Sequence, residues 1–163
     1  MTKKIYVASP FGFSEAGRDF MYRKLIPEIK RAGFEVIDPW KLTNQEYIDE
    51  ILALPLDAGK PTCLKNMNRI IGSNNEKGID RCHGIFAVLD GIDVDSGVAS
   101  EIGVGYGRNK PILGYRSDFR LASENIGGKV NLQVEYWIMH RGGEIISSVS
   151  DIVPATRRVF GKP

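Results

Sequence analysis

Four acidic residues stand close together in the middle of the sequence, directly after an apolar run. The run is GIFAVL at 84–89, and the polar segment DGIDVDSG at 90–97 carries three aspartates. Glu101 lies one turn into the helix predicted next. Paired carboxylates suit glycosyl transfer, because one can attack an anomeric carbon with oxocarbenium character while the other protonates the leaving group. Asp95 and Glu101 are the candidates for these two roles.

These carboxylates also have a structural interpretation. Asp95 or Ser96 could cap the helix, and Glu101 in its first turn could complement the helix macrodipole. The neighbours of Glu101 favour function, because they are small or apolar and predict a closely packed helix start, where a carboxylate is costly to desolvate. Tyr6, inside the first predicted strand, needs a partner for its hydroxyl and could orient Glu101 from the adjacent strand end.

Aromatic residues follow the ends of the first two predicted strands. Phe11 and Phe13 come after KIYVAS at 4–9, and Trp40 comes after FEVI at 34–37. Aromatic side chains more often belong to a core, but rings that share a position at strand ends could hold a planar base between them.

Motifs for metals, cofactors and other nucleophiles are missing from the sequence. The two cysteines and two histidines do not form a metal-ligand spacing, so we expect reduced thiols and no metal. The glycines of GVGYG at 103–107 fall inside a predicted helix, which favours close helix packing over a dinucleotide fingerprint. Neither a Walker motif nor a serine, cysteine or histidine triad can be assembled, and no cofactor is expected.

Strands and helices alternate along the whole chain. Strands are predicted at 4–9, 34–37, 84–89, 111–115 and 144–147, and helices at 14–32, 62–80, 98–108, 131–139 and 148–160. A T-x-x-E capping box at Thr43 and Glu46 predicts one more helix, and loops are predicted at 54–61 and 116–130. This order implies a single α/β domain over 1–163, with a doubly wound, flavodoxin-like or Rossmann-like parallel sheet of about five strands and helices on both faces. Such sheets bind ligands at the carboxyl ends of their strands.

Composition and charge argue against several classes of protein. The 163 residues are 42% hydrophobic, which is enough for a substantial core. The 22 basic and 20 acidic residues give a formal charge of +2 without a basic cluster, so no nucleic-acid polymer is expected as a partner. The N-terminal run fits a strand better than a signal peptide, and no segment is apolar for long enough to span a membrane, so we expect a cytoplasmic protein.

Three segments resemble the nucleoside 2-deoxyribosyltransferase family: KIYVASPFGF at 4–13, GIFAVLDGIDVDSGVASEIGVGYGRNKPIL at 84–113, and NLQVEYWI at 131–138. The middle segment is the most specific, with an aspartate before Ser-Gly, then Glu-Ile-Gly and a small-residue helix that ends in Lys-Pro. The resemblance spans residues 3–138. It implies a pentosyltransferase of nucleotide salvage that exchanges the base of 2'-deoxynucleosides for free purine or pyrimidine bases, through a covalent glycosyl-enzyme intermediate and with retention.

The resemblance also implies roles for individual residues. Glu101 would be the nucleophile that attacks C1', Asp95 would handle protonation of the leaving base, and Tyr6 would hydrogen-bond the nucleophile. Asn131 is similar to an asparagine that a neighbouring subunit contributes to the 5'-hydroxyl of the sugar, which implies a homo-oligomer. Asn75 stands where members have an aspartate or an asparagine near the sugar. Substrate contacts are expected from Ser9, Phe11, Phe13, Trp40, Asn75, Asp93, Gly97 and Asn131.

Two features depart from the family pattern. Residues 98–100 read Val-Ala-Ser where the family often has Thr-Ala and a bulky residue, a difference that the resemblance places beside the sugar. The chain also runs on to Pro163, whereas some members place a terminal tyrosine carboxylate in a neighbour's site. The resemblance therefore does not predict that subunit contact for this chain.

Two other functions remain open at this point. A hydrolase of 2'-deoxynucleoside 5'-monophosphates would use the same glutamate with water as acceptor, but the first loop, SPFGF at 9–13 with Arg18 further along, suits an uncharged 5'-hydroxyl better than a phosphate. A non-catalytic nucleoside-binding module would use Glu101 only to hold a ligand hydroxyl. Base specificity, tolerance of ribonucleosides, the ratio of transfer to hydrolysis and the oligomer size are not determined by the sequence.

Overall fold

The structure, a computed structural model, describes residues 2–57, 59–121 and 127–162. Within these ranges five strands form one parallel sheet in the order β2-β1-β3-β4-β5. The strands are β1 (Lys4–Ala8), β2 (Glu35–Ile37), β3 (Gly84–Val88), β4 (Ile112–Tyr115) and β5 (Glu144–Ile146). This is the strand order of a flavodoxin-like doubly wound sheet, so the predicted fold class is confirmed.

Helices cover both faces of the sheet. They are α1 (Glu15–Phe20), α2 (Ile26–Arg31), α3 (Gln45–Ala53), α4 (Lys60–Arg81), α5 (Ser96–Gly107), α6 (Leu132–His140) and α7 (Ile152–Phe160). One hydrophobic cluster joins α2 and α7 to one face, and a second joins α4, α5 and α6 to the other.

Side-chain alternation along the two central strands decides which residues face which layer. Ile5 and Val7 of β1 belong to the cluster with α2 and α7, whereas Tyr6 and Ala8 belong to the cluster with α4, α5 and α6. Successive side chains of a strand point to opposite faces of the sheet, so Tyr6 lies on the same side as α5. Every residue of β3 is buried, as its uninterrupted apolar sequence predicts for a central parallel strand.

Two loops at the carboxyl edge of the sheet are tied to each other. The buried guanidinium of Arg116, after β4, donates to the carbonyl oxygens of Leu89 at 2.5 Å and Gly91 at 3.3 Å, after β3. In return, Asp90 accepts hydrogen bonds from the Ser117 amide at 2.6 Å and the Asp118 amide at 2.8 Å. These bonds hold the start of the acidic segment 90–97 in place. The predicted loop at 116–130 includes residues 122–126, which lie outside the described ranges.

Several predicted helix boundaries differ from the structure. The first helix is divided by a π-helical segment, Met21–Leu25, between α1 and α2. The predicted Thr43 capping box does not form: the side chain of Asn44 accepts the Glu46 amide instead, and the Thr43 hydroxyl accepts a hydrogen bond from Asn74. Helix α4 begins inside the predicted 54–61 loop, and the C-terminal helix is preceded by a 3-10 turn, Val149–Asp151.

Gly105 allows α5 to lie directly on β3. A Cβ atom at Gly105 would lie 2.2 Å from Ile85 Cδ1, whereas a Cβ atom at Gly107, in the same helix, would meet nothing within 4 Å. Gly103 also faces a ring, that of Trp137. The interpretation of the GVGYG segment as a close packing surface is therefore supported at Gly105.

We expect Gly105→Ala to lower the free energy of unfolding by about 1 to 3 kcal/mol, because it overpacks the α5–β3 interface. Gly107→Ala, the matched control, should raise it by about 0.5 to 1 kcal/mol through helix propensity alone. Urea unfolding followed by circular dichroism measures both changes. Equal stability of the two variants would contradict the packing role of Gly105.

Candidate active site

A cleft of about 280 Å³ opens at the carboxyl ends of β1, β2 and β3. It is lined by Ser9, Phe13, Pro39, Trp40, Ile71, Asn75, Asp95, Gly97, Val98 and Glu101. Seven of the residues expected from the sequence, namely Ser9, Phe13, Trp40, Asn75, Asp95, Gly97 and Glu101, therefore share one cavity. It lies at the edge of the sheet where doubly wound folds bind ligands.

Glu101, which lines this cleft, is held by a hydrogen bond from Tyr6, which does not line it. The Tyr6 hydroxyl donates to Glu101 Oε1 at 2.5 Å, across 95 residues of sequence. The Tyr6 side chain is fully buried, and burial together with the neighbouring Glu101 raises the pKa of its phenol far above the ordinary value. Tyr6 therefore stays protonated and can act toward Glu101 only as a donor.

Glu101 is a partly buried carboxylate whose ionisation is displaced to neutral pH. The pKa of Glu101 is raised from 4.5 to about 7, chiefly by burial; the hydrogen bond from Tyr6 lowers it in part, and the negative charge of Asp95 adds to the rise. Because α5 begins at Ser96, Glu101 is in its second turn and not in its first. The helix macrodipole acts mainly within the first turn, so it does not explain this carboxylate.

Asp95 caps α5 and faces the cleft at the same time. Its Oδ1 atom accepts the Val98 amide at 3.0 Å, which fixes the side chain at the start of the helix. Within the described residues, Oδ2 of Asp95 makes no hydrogen bond. One oxygen is thus held by the fold while the other is available to a ligand.

Asn75 presents an acceptor without a partner. It lies on α4 and lines the cleft, and within the described residues its buried Oδ1 atom has no hydrogen-bond donor. A buried unsatisfied oxygen beside a cavity is the group that a ligand hydroxyl or amine would satisfy. Ile71, one helical turn earlier on α4, adds an apolar surface to the same wall.

Aromatic rings form a second wall. The rings of Phe13 and Trp40 meet edge to face with centroids 4.8 Å apart. Trp40 Nε1 donates to the Ser9 carbonyl oxygen at 3.2 Å, and the ring covers Gly12, where a Cβ atom would lie only 2.0 Å from Trp40 Cε2. This arrangement leaves a flat apolar surface that suits an aromatic base.

Besides Tyr6, which reaches the cleft only through Glu101, three of the expected residues do not line it. Phe11 packs edge to face on Phe20, with centroids 5.8 Å apart, because its ring turns into the core beside α1. Asp93 is exposed, and its carboxylate accepts the amide of Val94 within its own turn. Asn131 caps α6 by accepting the Gln133 amide at 3.0 Å, and its expected place in a neighbouring subunit's site stays a prediction.

Comparison with known proteins assigns the chain to a family. A sequence model of nucleoside 2-deoxyribosyltransferases matches residues 5–133. The chain belongs to the nucleoside 2-deoxyribosyltransferase family. The resemblance found in the sequence is thereby confirmed. A search among curated proteins found no significant match.

Solved structures share the fold of this family member at low sequence identity. A conserved protein from Enterococcus faecalis V583 has a TM-score of 0.70 and 22% identity, over 96% of this chain and 98% of its own. A 2-deoxyribosyltransferase from Leishmania mexicana has a TM-score of 0.63 and 20% identity, over 93% and 95%. A CMP N-glycosidase from Clostridium botulinum has a TM-score of 0.53 and 14% identity, over 93% and 96%.

Sequence reasoning missed the apolar part of this family member's cleft. Pro39, Ile71 and Val98 line it beside the polar residues. The spacing of Ile71 and Asn75 on one face of a predicted helix was the available signal, but only the packing of α4 shows that this face meets the cleft.

Across 2–57, 59–121 and 127–162, no group of three or more His, Cys, Asp or Glu side chains could hold a metal ion. Nor do these ranges contain a helix with the length and apolarity needed to cross a membrane.

The raised pKa of Glu101 predicts a pH-dependent effect on stability. A carboxyl group whose pKa is higher in the folded state stabilises the fold fully below pH 4.5, and this contribution is lost as the pH rises through about 7. We therefore expect Glu101→Gln to raise the free energy of unfolding by about 2 to 3 kcal/mol at pH 8 and by little at pH 4.

Urea unfolding at both pH values measures this difference. Glu50→Gln, at an exposed position of α3, is the control and should leave stability unchanged at either pH. An unchanged or lower stability of Glu101→Gln at pH 8 would show that the ionised carboxylate does not destabilise the fold.

Proposed function

We propose that this protein exchanges the base of 2'-deoxynucleosides through a deoxyribosyl ester on Glu101, with no cofactor. The observation that carries the proposal is the hydrogen bond from Tyr6 to Glu101, which lines a mainly apolar cleft together with Asp95. It supports a nucleophile held in one orientation, because Oε1 is occupied by the phenol while Oε2 is left to react.

In the first half-reaction, Oε2 of Glu101 attacks C1' of the deoxyribose. The bond between C1' and the base nitrogen breaks, and its electron pair stays on the base, which takes up a proton from solvent that Asp95 relays. The products are a deoxyribosyl ester of Glu101 and a free base. Asp95 suits the transfer because Oδ1 is fixed by the Val98 amide and Oδ2 is available.

In the second half-reaction, a nitrogen of the incoming base attacks C1' and the ester bond to Glu101 breaks. The proton released by the incoming base passes back to solvent through Asp95, and Glu101 regains its charge. Two inversions at C1' give net retention. The Tyr6 hydroxyl stabilises the carboxylate as it leaves, because a hydrogen bond to the charged form favours that form.

The charge of the cleft favours an uncharged nucleoside. Within the described residues, no lysine or arginine lines it. Arg18 is held away from it, with Nη1 donating to the Gly12 carbonyl oxygen at 3.0 Å. A dianionic phosphate beside two carboxylates would be repelled without a cationic partner.

The alternative is a hydrolase of 2'-deoxynucleoside 5'-monophosphates. Arg18 and Lys41 line a neighbouring cavity that Trp40 also lines, and this pair of cations is the observation that favours a phosphate. In that reaction water, rather than a second base, would attack the deoxyribosyl ester.

We propose further that the active protein is a homo-oligomer in which a neighbouring subunit supplies Asn131. The capping bonds of Asn131 use its oxygen, and within the described residues its side-chain amide nitrogen makes no hydrogen bond and is available as a donor. Leu132, Tyr136 and Met139 expose an apolar stripe on the same helix, with 61%, 51% and 53% of their surfaces accessible. A second copy of the chain that covers this stripe would lie close to Asn131 of the first copy.

Replacement of the nucleophile tests the exchange directly. With 2'-deoxyinosine and free adenine, the parent protein should form 2'-deoxyadenosine, and Glu101→Ala should lower the rate by at least about 1000-fold. Glu50→Ala is the control and should retain the parent rate. Chromatography follows both nucleosides and free deoxyribose.

Each other result selects a different function. Free deoxyribose without exchange, or faster cleavage of 2'-deoxyinosine 5'-monophosphate than of the nucleoside, would establish the hydrolase. Absence of turnover with any nucleoside and base would favour the non-catalytic nucleoside-binding module.

The hydrogen bond from Tyr6 predicts a shift in the pH profile. Because this bond lowers the pKa of Glu101, Tyr6→Phe should raise that pKa and move the acid limb of kcat/KM, expected near pH 7 in the parent, to higher pH. The rate loss at pH 6 should exceed the loss at pH 9 by up to about tenfold, the factor for one pKa unit. Tyr47→Phe on α3 is the control. A loss of equal size at every pH would mean that Tyr6 does not act through the ionisation of Glu101.

A further inference from the structure

Trp40 lies on the wall of the cleft, and some of the residues that fix its position do not line the cleft. It belongs to a 3-10 segment, Pro39–Lys41, that directly follows β2. Its side chain is held at one end by the bond to Ser9. The position of its backbone depends on Asp38, which precedes the segment.

Asp38 uses both of its carboxylate oxygens. Oδ1 accepts the Trp40 amide at 3.1 Å and caps the 3-10 segment. Oδ2 accepts the Tyr22 hydroxyl at 2.9 Å. The Asp38 carboxylate therefore binds the Trp40 backbone and the Tyr22 hydroxyl in one and the same orientation.

Tyr22 contacts both ends of this segment. Its hydroxyl binds Asp38 at the start, and the Lys41 ammonium lies 4.6 Å from the centroid of its ring at the end. Tyr22 lies in the π-helical segment Met21–Leu25, where Met21 and Leu25 are buried. A π-helical turn inserts a residue into a helix and changes the direction of the side chains around it, and such turns are frequent at functional sites.

The ionisation of Tyr22 fits a donor in this arrangement. Burial, together with the hydrogen bond to Asp38, raises the pKa of Tyr22 to about 12. The phenol stays protonated over the pH range in which the protein is assayed, so it donates to Asp38 throughout.

We propose that Tyr22 and Asp38 are positioning residues that hold the Trp40 ring as the stacking wall for the base. The inference rests on the proposed function, because it takes the ligand of this wall to be a nucleobase. Tyr22 lies behind the wall and not on it, since the cleft is lined by Trp40 and the neighbouring cavity by Tyr22. Loss of its hydroxyl should therefore weaken binding of the base and leave bond cleavage at C1' largely unchanged.

Fluorescence of Trp40 measures base binding without any turnover. The chain has two tryptophans, so a Trp137→Phe background leaves Trp40 as the single reporter. Adenine, hypoxanthine, cytosine and thymine are titrated separately into the parent, Tyr22→Phe and Tyr47→Phe proteins in this background. We expect at least one base to quench the fluorescence of the parent.

For the base that binds, Tyr22→Phe should raise the dissociation constant by about 3- to 10-fold, the size of one hydrogen bond, and Tyr47→Phe should not change it. In the exchange assay Tyr22→Phe should raise KM for the acceptor base by a similar factor and change kcat by less than about twofold. Unchanged base affinity in Tyr22→Phe, or no quenching of the parent by any of the four bases, would overturn the inference.

A double-mutant cycle tests whether Tyr22 acts through Asp38. Tyr22→Phe should have no further effect on base affinity in the Asp38→Ala protein, because the partner of the hydroxyl is then already missing. Additive effects of the two substitutions would overturn the role of Asp38, and thermal unfolding verifies that each variant is folded. If Tyr22→Phe weakens base binding while the parent protein shows no exchange, the result would support this inference and refute the proposed transferase.

Discussion

The hydrogen bond between the Tyr6 phenol and the Glu101 carboxylate depends on most of the fold around it. A carboxylate removed from water is unstable without a donor, and this donor comes from a strand in the middle of the sheet. The bond needs β1 in the register that turns Tyr6 toward α5, and it needs α5 close to the sheet. Gly105 provides the second condition, because it has no Cβ atom to collide with Ile85. Gly78 of α4 adds a third, since a Cβ atom there would lie 3.0 Å from the Tyr6 ring.

The carboxylates of the acidic segment 90–97 are directed to different places, which limits the repulsion between them. Asp90 is turned away from the cleft toward the amides after β4, and the buried Arg116 holds the adjoining carbonyl oxygens. Asp95 is anchored by the start of α5. Only Asp95 and Glu101 then line the cleft among the carboxylates of this region, and their mutual repulsion contributes to the raised pKa of Glu101.

The two sides of the cleft have different physical characters. One side carries the carboxylates and the unsatisfied oxygen of Asn75, which are suited to a sugar with hydroxyl groups and a reactive C1'. The other carries Phe13 and Trp40, whose rings are suited to a base and make few demands on its identity. The shared fold with proteins of 14 to 22% identity shows that the sheet persists while most of the side chains differ.

The sequence by itself determined the fold class and singled out two candidate carboxylates, because local patterns encode both. The apolar run of β3, the alternation of elements and the Asp-Ser-Gly to Glu-Ile-Gly spacing are visible without any long-range contact. The tertiary structure decided which side chains actually meet. Phe11 and Phe13 are two residues apart in one loop, yet one ring enters the core and the other lines the cleft, since the 3-10 turn Pro10–Phe13 sends them in different directions. The pairings of Tyr6 with Glu101 and of Tyr22 with Asp38 join distant elements, and such contacts are set by packing that no local pattern specifies.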